Sequence, residues 1–331
     1  MKVLVTGGCG YIGSHTCKAL ATQGHDILVY DNLSTGRREF ARWGDFVYGD
    51  VRDGQRLRRT LRAFRPDGVI HFAGYIAVGE SVRDPGMYYE NNILGSLRLL
   101  EALRDEEVRR LVVSGTAAVY GLPASVPIAE SASRTPINPY GRTKVVMEWM
   151  LEDFAVAHGL DWVSLRYFNA AGGDPDGEIG EAHDPETHLI PNVLRAIDGE
   201  IPALRLFGDD YDTPDGTCIR DYIHVCDLAT AHVLALEHLL RGGASQAMNL
   251  GTGKGVSVRE ILQAAQRTTG RAVPHVVVPR RPGDPARLVA DASTARRVLH
   301  WKPQRSSIDA ILADAWAWQQ RRRANVTASS A

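Results

Sequence analysis

Lys2-Val3-Leu4-Val5-Thr6-Gly7-Gly8-Cys9-Gly10-Tyr11-Ile12-Gly13 decides how this chain folds. Its first five residues read as a short buried strand, and a helical spacing of apolar residues runs on through Leu20. Between them Gly7, Gly10 and Gly13 fall at a Gly-x-x-Gly-x-x-Gly spacing. Such glycines permit a sharp turn, let backbone approach a pyrophosphate, and allow the following helix to pack tightly. The N-terminus of that helix then faces the phosphates. A second strand, Asp26 to Tyr30, ends at Asp31, eighteen residues past Gly13. A carboxylate there accepts hydrogen bonds from both hydroxyls of an adenosine ribose and repels a 2'-phosphate, which predicts NAD rather than NADP. Arg37 and Arg38 follow closely and read as solvated loop charges.

Further β-like segments at Phe46 to Tyr48, Val69 to Phe72, Leu111 to Ser114 and Trp162 to Tyr167 alternate with helical patterns. This alternation predicts an α/β fold built on a Rossmann-type doubly wound parallel sheet. Cofactor loops leave the carboxyl ends of such strands, which nominates Asp50-Val51 for the adenine side and Phe72-Ala73-Gly74 for the pyrophosphate side. The same rule places Thr116 and Tyr140 in the crevice. A helix from Glu90 to Leu103 carries a core stripe of Ile93, Leu97, Leu100 and Leu103, with Asn91 near its start in reach of the cofactor. Beyond Asn169 the composition turns to Gly-, Pro- and Asp-rich loops, Ala170 to Glu186. The expected division is a nucleotide-binding domain over residues 1–170, rejoined by segments near 218–253, and a smaller C-terminal α/β substrate domain over 171–331. The polar tail, 321–331, reads as disordered.

Asn138-Pro139-Tyr140-Gly141-Arg142-Thr143-Lys144 carries the chemistry. Asn is a good N-cap and Pro is tolerated at the first helical position, so Tyr140 and Lys144 share one face across the first turns of a helix. Bringing a phenol from a pKa of about 10 to roughly 7 requires about 4 kcal/mol of differential interaction. A unit charge at about 6 Å and an effective dielectric near 20 contributes roughly 2.8 kcal/mol. One lysine supplies part of that, and a second positive group, such as an oxidised nicotinamide, completes it.

The chain has 331 residues and a net charge of -1, which gives no reason to expect a nucleic-acid or membrane surface as partner. Cys9, Cys17, Cys218 and Cys226 match neither Cys-x-x-Cys nor a zinc spacing, so no metal site is predicted and a reduced compartment is expected. The amino-terminal residues lead straight into glycines rather than a signal peptide, and no apolar run is long enough for a bilayer. A cytoplasmic protein is expected. The helix after Tyr140 is apolar on more than one face, with Val145, Val146, Met147, Trp149, Met150, Leu151 and Phe154. One face covers the sheet, and the surplus predicts that this helix and the Glu90 helix pack against a second copy in a homodimer.

These motifs, with Val119-Tyr120-Gly121 and Arg166-Tyr167-Phe168-Asn169, resemble the extended short-chain dehydrogenase/reductase family and, within it, the UDP-glucose 4-epimerases. The resemblance continues through Pro214-Asp215-Gly216-Thr217-Cys218-Ile219-Arg220-Asp221-Tyr222-Ile223-His224-Val225 and Asn249-Leu250-Gly251-Thr252-Gly253. It implies NAD-dependent interconversion of UDP-glucose and UDP-galactose by transient oxidation at C4', rotation of the 4-keto sugar and return of the hydride. Tyr140 becomes the base, Lys144 its electrostatic partner and ribose anchor, and Thr116 the hydroxyl bridging Tyr140 and the sugar 4'-OH, where many members carry Ser. Gly10, Tyr11, Ile12, Asp31, Asn32, Leu33, Ser34, Thr35, Asp50, Val51, Phe72, Ala73, Gly74, Asn91 and Phe168 would line NAD. Asn169, His188 and Leu189 occupy diphosphate-binding positions, and Arg205-Leu206-Phe207 forms an edge receiving the uracil. Arg220 and Arg281 clamp the diphosphate through guanidinium forks, and Asp284 accepts a ribose hydroxyl.

Two positions depart from the pattern: Ile76 stands where some epimerases carry a cofactor-contacting Lys, and Leu288 where many carry a large aromatic near the sugar's 2'-substituent. Epimerases of UDP-N-acetylglucosamine, UDP-xylose or UDP-glucuronate would share these anchors. A sugar-nucleotide dehydratase needs an Asp-Glu pair after the Thr, where this chain has Ala117-Ala118, and a non-catalytic NAD-binding regulator would have little use for Thr116, Tyr140 and Lys144 together.

Overall fold

The computed structural model of the chain describes residues 1–281 and 283–329. In chain order its strands are β1 (Lys2–Thr6), β2 (Asp26–Asp31), β3 (Asp45–Tyr48), β4 (Gly68–His71), β5 (Arg110–Ser114), β6 (Asp161–Tyr167) and β7 (Asn169–Ala171). There follow β8 (Leu204–Phe207), β9 (Ile219–Arg220), β10 (Tyr222–His224), β11 (Gln246–Leu250), β12 (Val256–Ser257), β13 (His275–Val278) and β14 (Arg287–Leu288). The helices are α1 (Tyr11–Thr22), α2 (Gly54–Phe64), α3 (Val78–Arg83), α4 (Pro85–Tyr88), α5 (Gly95–Asp105) and α6 (Pro139–His158). The later ones are α7 (Leu189–Ile197), α8 (Val225–Leu240), α9 (Val258–Thr269), α10 (Ser293–Val298) and α11 (Ile308–Ser329).

Seven strands make one parallel sheet in the order β11-β6-β5-β4-β1-β2-β3. The order reverses between β1 and β4, and in doubly wound sheets the ligand crevice lies at that reversal, outside the carboxyl ends of the strands. A parallel sheet covered on both faces needs strands that are apolar on both sides, and Val3, Leu4 and Val5 are all fully buried. One face is covered by α1 and α8, which bring Cys17, Leu20, Leu228, Val233 and Leu236 together with Ile70, Val163 and Met248. The other is covered by α2, α5 and α6 through Leu57, Leu61, Leu99, Leu103 and Leu151. A separate core gathers Ile190 and Leu194 of α7, Leu204 and Leu206 of β8, Ile261 and Leu262 of α9, and Ile311 and Leu312 of α11. Strand β11 and helix α8 thus lie on the central sheet although they follow the loops after Asn169, and Trp301 is buried there too, donating to Asp227 O at 2.9 Å.

The sequence reading and the structure differ at two elements. The helix expected from Glu90 opens as a wider π-helical segment, Tyr89–Leu94. The wider turn rotates the phase of the inward face, so that Asn91, Asn92, Gly95, Ser96 and Leu99 are buried while Ile93 and Leu97 are half-buried. The tail read as disordered from 321 instead continues α11 as far as Ser329. Arg321 donates to Asp176 O at 2.6 Å, Arg322 lies 3.3 Å from Glu200 and Arg323 lies 2.6 Å from Asp198. Composition alone did not reveal that these arginines meet acceptors far away in sequence. Ser330 and Ala331 lie outside the described residues. Among the described residues no helix is long and apolar enough to cross a membrane.

Helix α6 is held on the sheet by a buried ion pair. Glu148 receives Arg166 Nε at 2.8 Å and Nη2 at 2.7 Å, with Ser164 Oγ donating to the same carboxylate at 3.0 Å. Both charged side chains are nearly inaccessible, so neither tolerates loss of the other. Replacing Arg166 with Met should lower unfolding free energy in urea by about 3–5 kcal/mol, because it strands a buried carboxylate. The double variant Glu148→Leu/Arg166→Met should recover most of that loss. Equal stability of Arg166→Met and the parent chain would contradict this account.

Candidate active site

The glycine turn is shaped by backbone meeting backbone. A Cβ on Gly7, whose φ is +72°, would lie 2.5 Å from Ala73 N and 2.8 Å from Phe72 C, and one on Gly13 would lie 2.2 Å from Gly7 O. The turn after β1 therefore rests directly on the loop after β4, and α1 starts directly beneath it. At the end of β2, Asp31 accepts from Cys9 N at 2.9 Å and Leu33 N at 2.8 Å. Burial pushes its carboxyl up while these N–H groups pull it down. Asn32 binds Ser34 N through its oxygen and donates to Asp50 at 2.9 Å, which lines up the loop Asn32-Leu33-Ser34-Thr35 beside the end of β3. Leu33 adopts the left-handed region with φ 58°. The Arg52 guanidinium beside Asp50 holds its carboxyl down at about 2. Val51 is buried against Gly95. Gly7, Gly10, Tyr11, Ile12, Gly13, Phe72, Ala73 and Gly74 thus share the rim of the crevice at the sheet's reversal point.

Thr116, Tyr140 and Lys144 come together on the β5 side of this crevice. Asn138 caps α6 by accepting from Gly141 N at 2.8 Å, and Pro139 follows at the first helical position, as the sequence predicts. A Cβ on Gly141 would lie 2.7 Å from Ala118 O, so this glycine lets the start of α6 touch the turn after Thr116. Thr116 caps that turn, its Oγ1 accepting from Ala118 N at 3.2 Å. Burial pushes the Tyr140 phenol above its ordinary value, and the neighbouring Thr116 hydroxyl pulls the other way. Lys144 Nζ donates to Ser114 O at 3.0 Å, and burial lowers its pKa to about 8. The Tyr88 ring meets Tyr140 edge-on, with centroids 6.5 Å apart. Phe168 and Leu288 pack against the cluster formed by Ala117, Val119, Tyr120, Ile128 and Val145.

The remaining candidates form a second group. Asn169 Nδ2 donates to Asp221 O at 3.0 Å, and His188 precedes Leu189 at the start of α7. Among the described residues strand β8 pairs only with β13 and leaves its other edge unpaired by strands; Leu206 turns into the core while Arg205 and Phe207 face outward. The Arg281 guanidinium lies 3.9 Å from the Phe207 centroid, and that of Arg205 lies 5.3 Å away, so two cations flank one ring. Arg220 and Asp284 form a short ion pair, mostly buried rather than at the surface.

Two residues the sequence reading passed over matter here. Asn92, not only Asn91, is buried, and it binds Tyr75 N at 2.8 Å, Tyr75 O at 3.0 Å and Thr143 at 3.2 Å, tying the loop after β4 to α6. Asn91 donates to Asn92 at 3.0 Å. His71 binds Thr6 at 2.6 Å at the end of β4, and burial lowers its pKa to about 3. The signal for His71 was a polar residue ending an otherwise apolar strand, whereas Asn92 lies off the apolar stripe of its helix and had none.

The chain is similar in sequence and fold to known proteins. The model of the NAD dependent epimerase/dehydratase family matches residues 3–251. A UDP-glucose 4-epimerase of Rhizobium meliloti is 52% identical over 97% of this chain and 98% of its own length. A UDP-glucose 4-epimerase of Brucella ovis, solved in complex with NAD, superposes with a TM-score of 0.94 at 54% identity, covering 95% of this chain and 97% of that one. The enzyme of Stenotrophomonas maltophila, solved with NAD and formylated UDP-arabinopyranose, gives 0.95 at 44% identity over 98% and 99%. With a doubly wound sheet, a glycine turn at its reversal point and a likeness that spans nearly the whole length, the chain belongs to the NAD dependent epimerase/dehydratase family.

Proposed function

We propose that this protein is an NAD-dependent isomerase that interconverts UDP-glucose and UDP-galactose. The observation that carries the reading is the meeting of Thr116, Tyr140 and Lys144 beside the sheet's reversal point, in a chain about half identical to UDP-glucose 4-epimerases along its length. The crevice fits a dinucleotide, because Gly7 and Gly13 leave backbone where any Cβ would intrude and Asp31 stands at the end of β2. Gly10, Tyr11 and Ile12 would face the pyrophosphate, Asp31 to Thr35 with Asp50 and Val51 the adenosine, and Phe72 to Gly74, Asn91, Lys144 and Phe168 the other half. When bound there, NAD takes up the C4' hydride and gives it back.

The chain's own residues supply the rest. Tyr140 removes the 4'-OH proton, with Thr116 bridging phenol and sugar, and returns it to the same oxygen once the 4-keto sugar has turned its other face. Asn169, His188, Leu189, Arg220 and Arg281 hold the diphosphate, while Arg205, Leu206, Phe207 and Asp284 hold the uridine. Firm anchors on the nucleotide and few on the hexose leave the 4-keto sugar free to turn. We read residues 1–170, with α8 and β11, as the nucleotide-binding domain, and most of the rest as the UDP-sugar domain. Free cysteines fit a cytoplasmic setting.

Purified protein incubated with UDP-galactose should yield UDP-glucose without added NAD, and no conversion even with NAD supplied would refute the reading. Tyr140→Phe should lower kcat by about 10²–10⁴ or more while UDP affinity in calorimetry stays nearly unchanged. An active variant would remove the base from Tyr140. Leu288 is an aliphatic side chain on the cluster that includes Ala117, Val119 and Tyr120, and its small size favours some tolerance of a 2'-acetamido group. That predicts measurable turnover of UDP-N-acetylglucosamine, and none would exclude it.

A homodimer is part of the same proposal. Trp149 and Val156, seven residues apart on one face of α6, are 51% and 92% exposed. An apolar face of this kind is expected to be covered by the same face of a second copy. Light scattering at micromolar concentration should give twice the chain mass of 36.2 kDa, and a monomer would contradict it.

A further inference from the structure

The loop between β7 and α7 crosses in front of the first glycine turn. Tyr11 donates to Gly172 O at 2.7 Å, Arg37 to Ala182 O at 3.1 Å and Trp318 to Glu181 O at 2.9 Å. Within this loop Glu181, His183, Glu186 and His188 each bring one ligand atom to within 4.8 Å of the others. Glu181 and Glu186 have side chains only 5% exposed. Two carboxylates buried side by side require two compensating positive charges.

The geometry goes further than charge. His183 Nδ1 lies 3.2 Å from Glu181 Oε1 and 3.8 Å from Glu186 Oε2, yet it is buried without a hydrogen-bond partner. A nitrogen that close to two carboxylates and aligned with neither sits as a ligand beside a shared centre does. His188 Nδ1 lies 3.5 Å from Glu186 Oε1 and 2.5 Å from Glu181 Oε1. Donors bound tetrahedrally to zinc at about 2.0–2.2 Å stand roughly 3.3–3.6 Å from one another. The His188–Glu181 pair at 2.5 Å must open and the His183–Glu186 pair at 3.8 Å must close slightly, and His188 is the most exposed of the four. By contrast, the neighbouring cluster of Asp174, Asp176 and Glu178 is already filled by Lys18 Nζ, at 2.8, 2.7 and 2.8 Å.

We propose that Glu181, His183, Glu186 and His188 form a binding site for a divalent cation of the zinc class. Two imidazoles and two carboxylates suit zinc or cobalt, whereas calcium needs six or more oxygens. Four protein donors leave no open position, so the ion is structural. It clasps the loop over Tyr11 and fixes His188 at the start of α7. Cysteine spacing, the one metal signature tested in the sequence, does not reach this site because its donors are histidine and glutamate.

The test needs no sugar nucleotide. Protein dialysed against EDTA and then equilibrated with ZnCl2 should retain about one zinc per chain by elemental analysis, with a raised melting temperature. Substitution with Co2+ should give visible d–d bands without the near-ultraviolet thiolate band that Cys218 or Cys226 would produce. His183→Ala should weaken zinc binding at least tenfold in calorimetry, with circular dichroism reporting whether it stays folded. Because a folding defect could mimic that loss, the cobalt spectrum of the unmodified chain decides independently. Absence of stoichiometric uptake, a thiolate band, or undiminished binding in folded His183→Ala would overturn the site and leave the glutamates neutralised by protonated histidines alone.

Discussion

Tyr140, Lys144 and Glu148 stand at successive turns of one face of α6, and the buried pair between Glu148 and Arg166 is what orients that face. A helix packed only by apolar side chains can rotate by a fraction of a turn at modest cost, since alternative packings bury similar area. A carboxylate that must meet a guanidinium on β6 cannot. Breaking such a pair costs more than the whole margin between many native and disturbed packings. The rotation of α6 is therefore set one turn beyond Lys144, and the positions of the ammonium and the phenol follow. Ser164 and Arg134 bind the same carboxylate and narrow its position further.

A second constraint meets the first across the crevice. Gly7 against Ala73 and Gly13 against Gly7 O are contacts between main chains, and Gly141 against Ala118 O is another. Main-chain contacts cannot relax by changing a rotamer, so they locate the loops after β1, β4 and β5 relative to one another with little freedom. Asn92 joins the second of these loops to α6 by accepting from Tyr75 and donating to Thr143. The crevice thus has rigid walls before any ligand enters, which suits a site in which one carbon must face the same acceptor twice.

How much of this was legible in the sequence depended on the range of the interactions. Lys2–Gly13, Asp31 and the Asn138–Lys144 stretch were readable because strand, turn and cap are set within a few residues. The partners of Glu148, Asn92 and the arginines of the tail were not, because each is chosen by the fold from residues tens or hundreds of positions away. Glu148 reads as an ordinary exposed helical Glu until Arg166 arrives beside it. The π-helical segment at Tyr89–Leu94 escaped for a different reason: a single wider turn shifts the phase of a helix without altering its composition. Glu181, His183, Glu186 and His188 lie close in sequence, but in a loop without periodicity nothing foretells that all four converge.

Charge in the crevice bears on when the proposed base can act. Burial raises the Tyr140 phenol and lowers Lys144 to about 8, so both groups are pushed toward their neutral forms. The lysine spends its hydrogen bond on Ser114 O, and Thr116 is the group that favours the phenolate. Lys144 at about 8 is still largely charged near neutral pH, so ionising Tyr140 there needs further positive charge beyond it, at a magnitude of about 2.8 kcal/mol for a unit charge some 6 Å away. Under the proposed function the oxidised dinucleotide brings that charge and also displaces water from the crevice. The phenol would then be basic only while an acceptor for hydride is in place, and would lose that drive once the ring has been neutralised by reduction. The same loss of charge would favour protonated Tyr140 as the acid for the return step, so that one residue serves both directions of an inversion without a second titrating group.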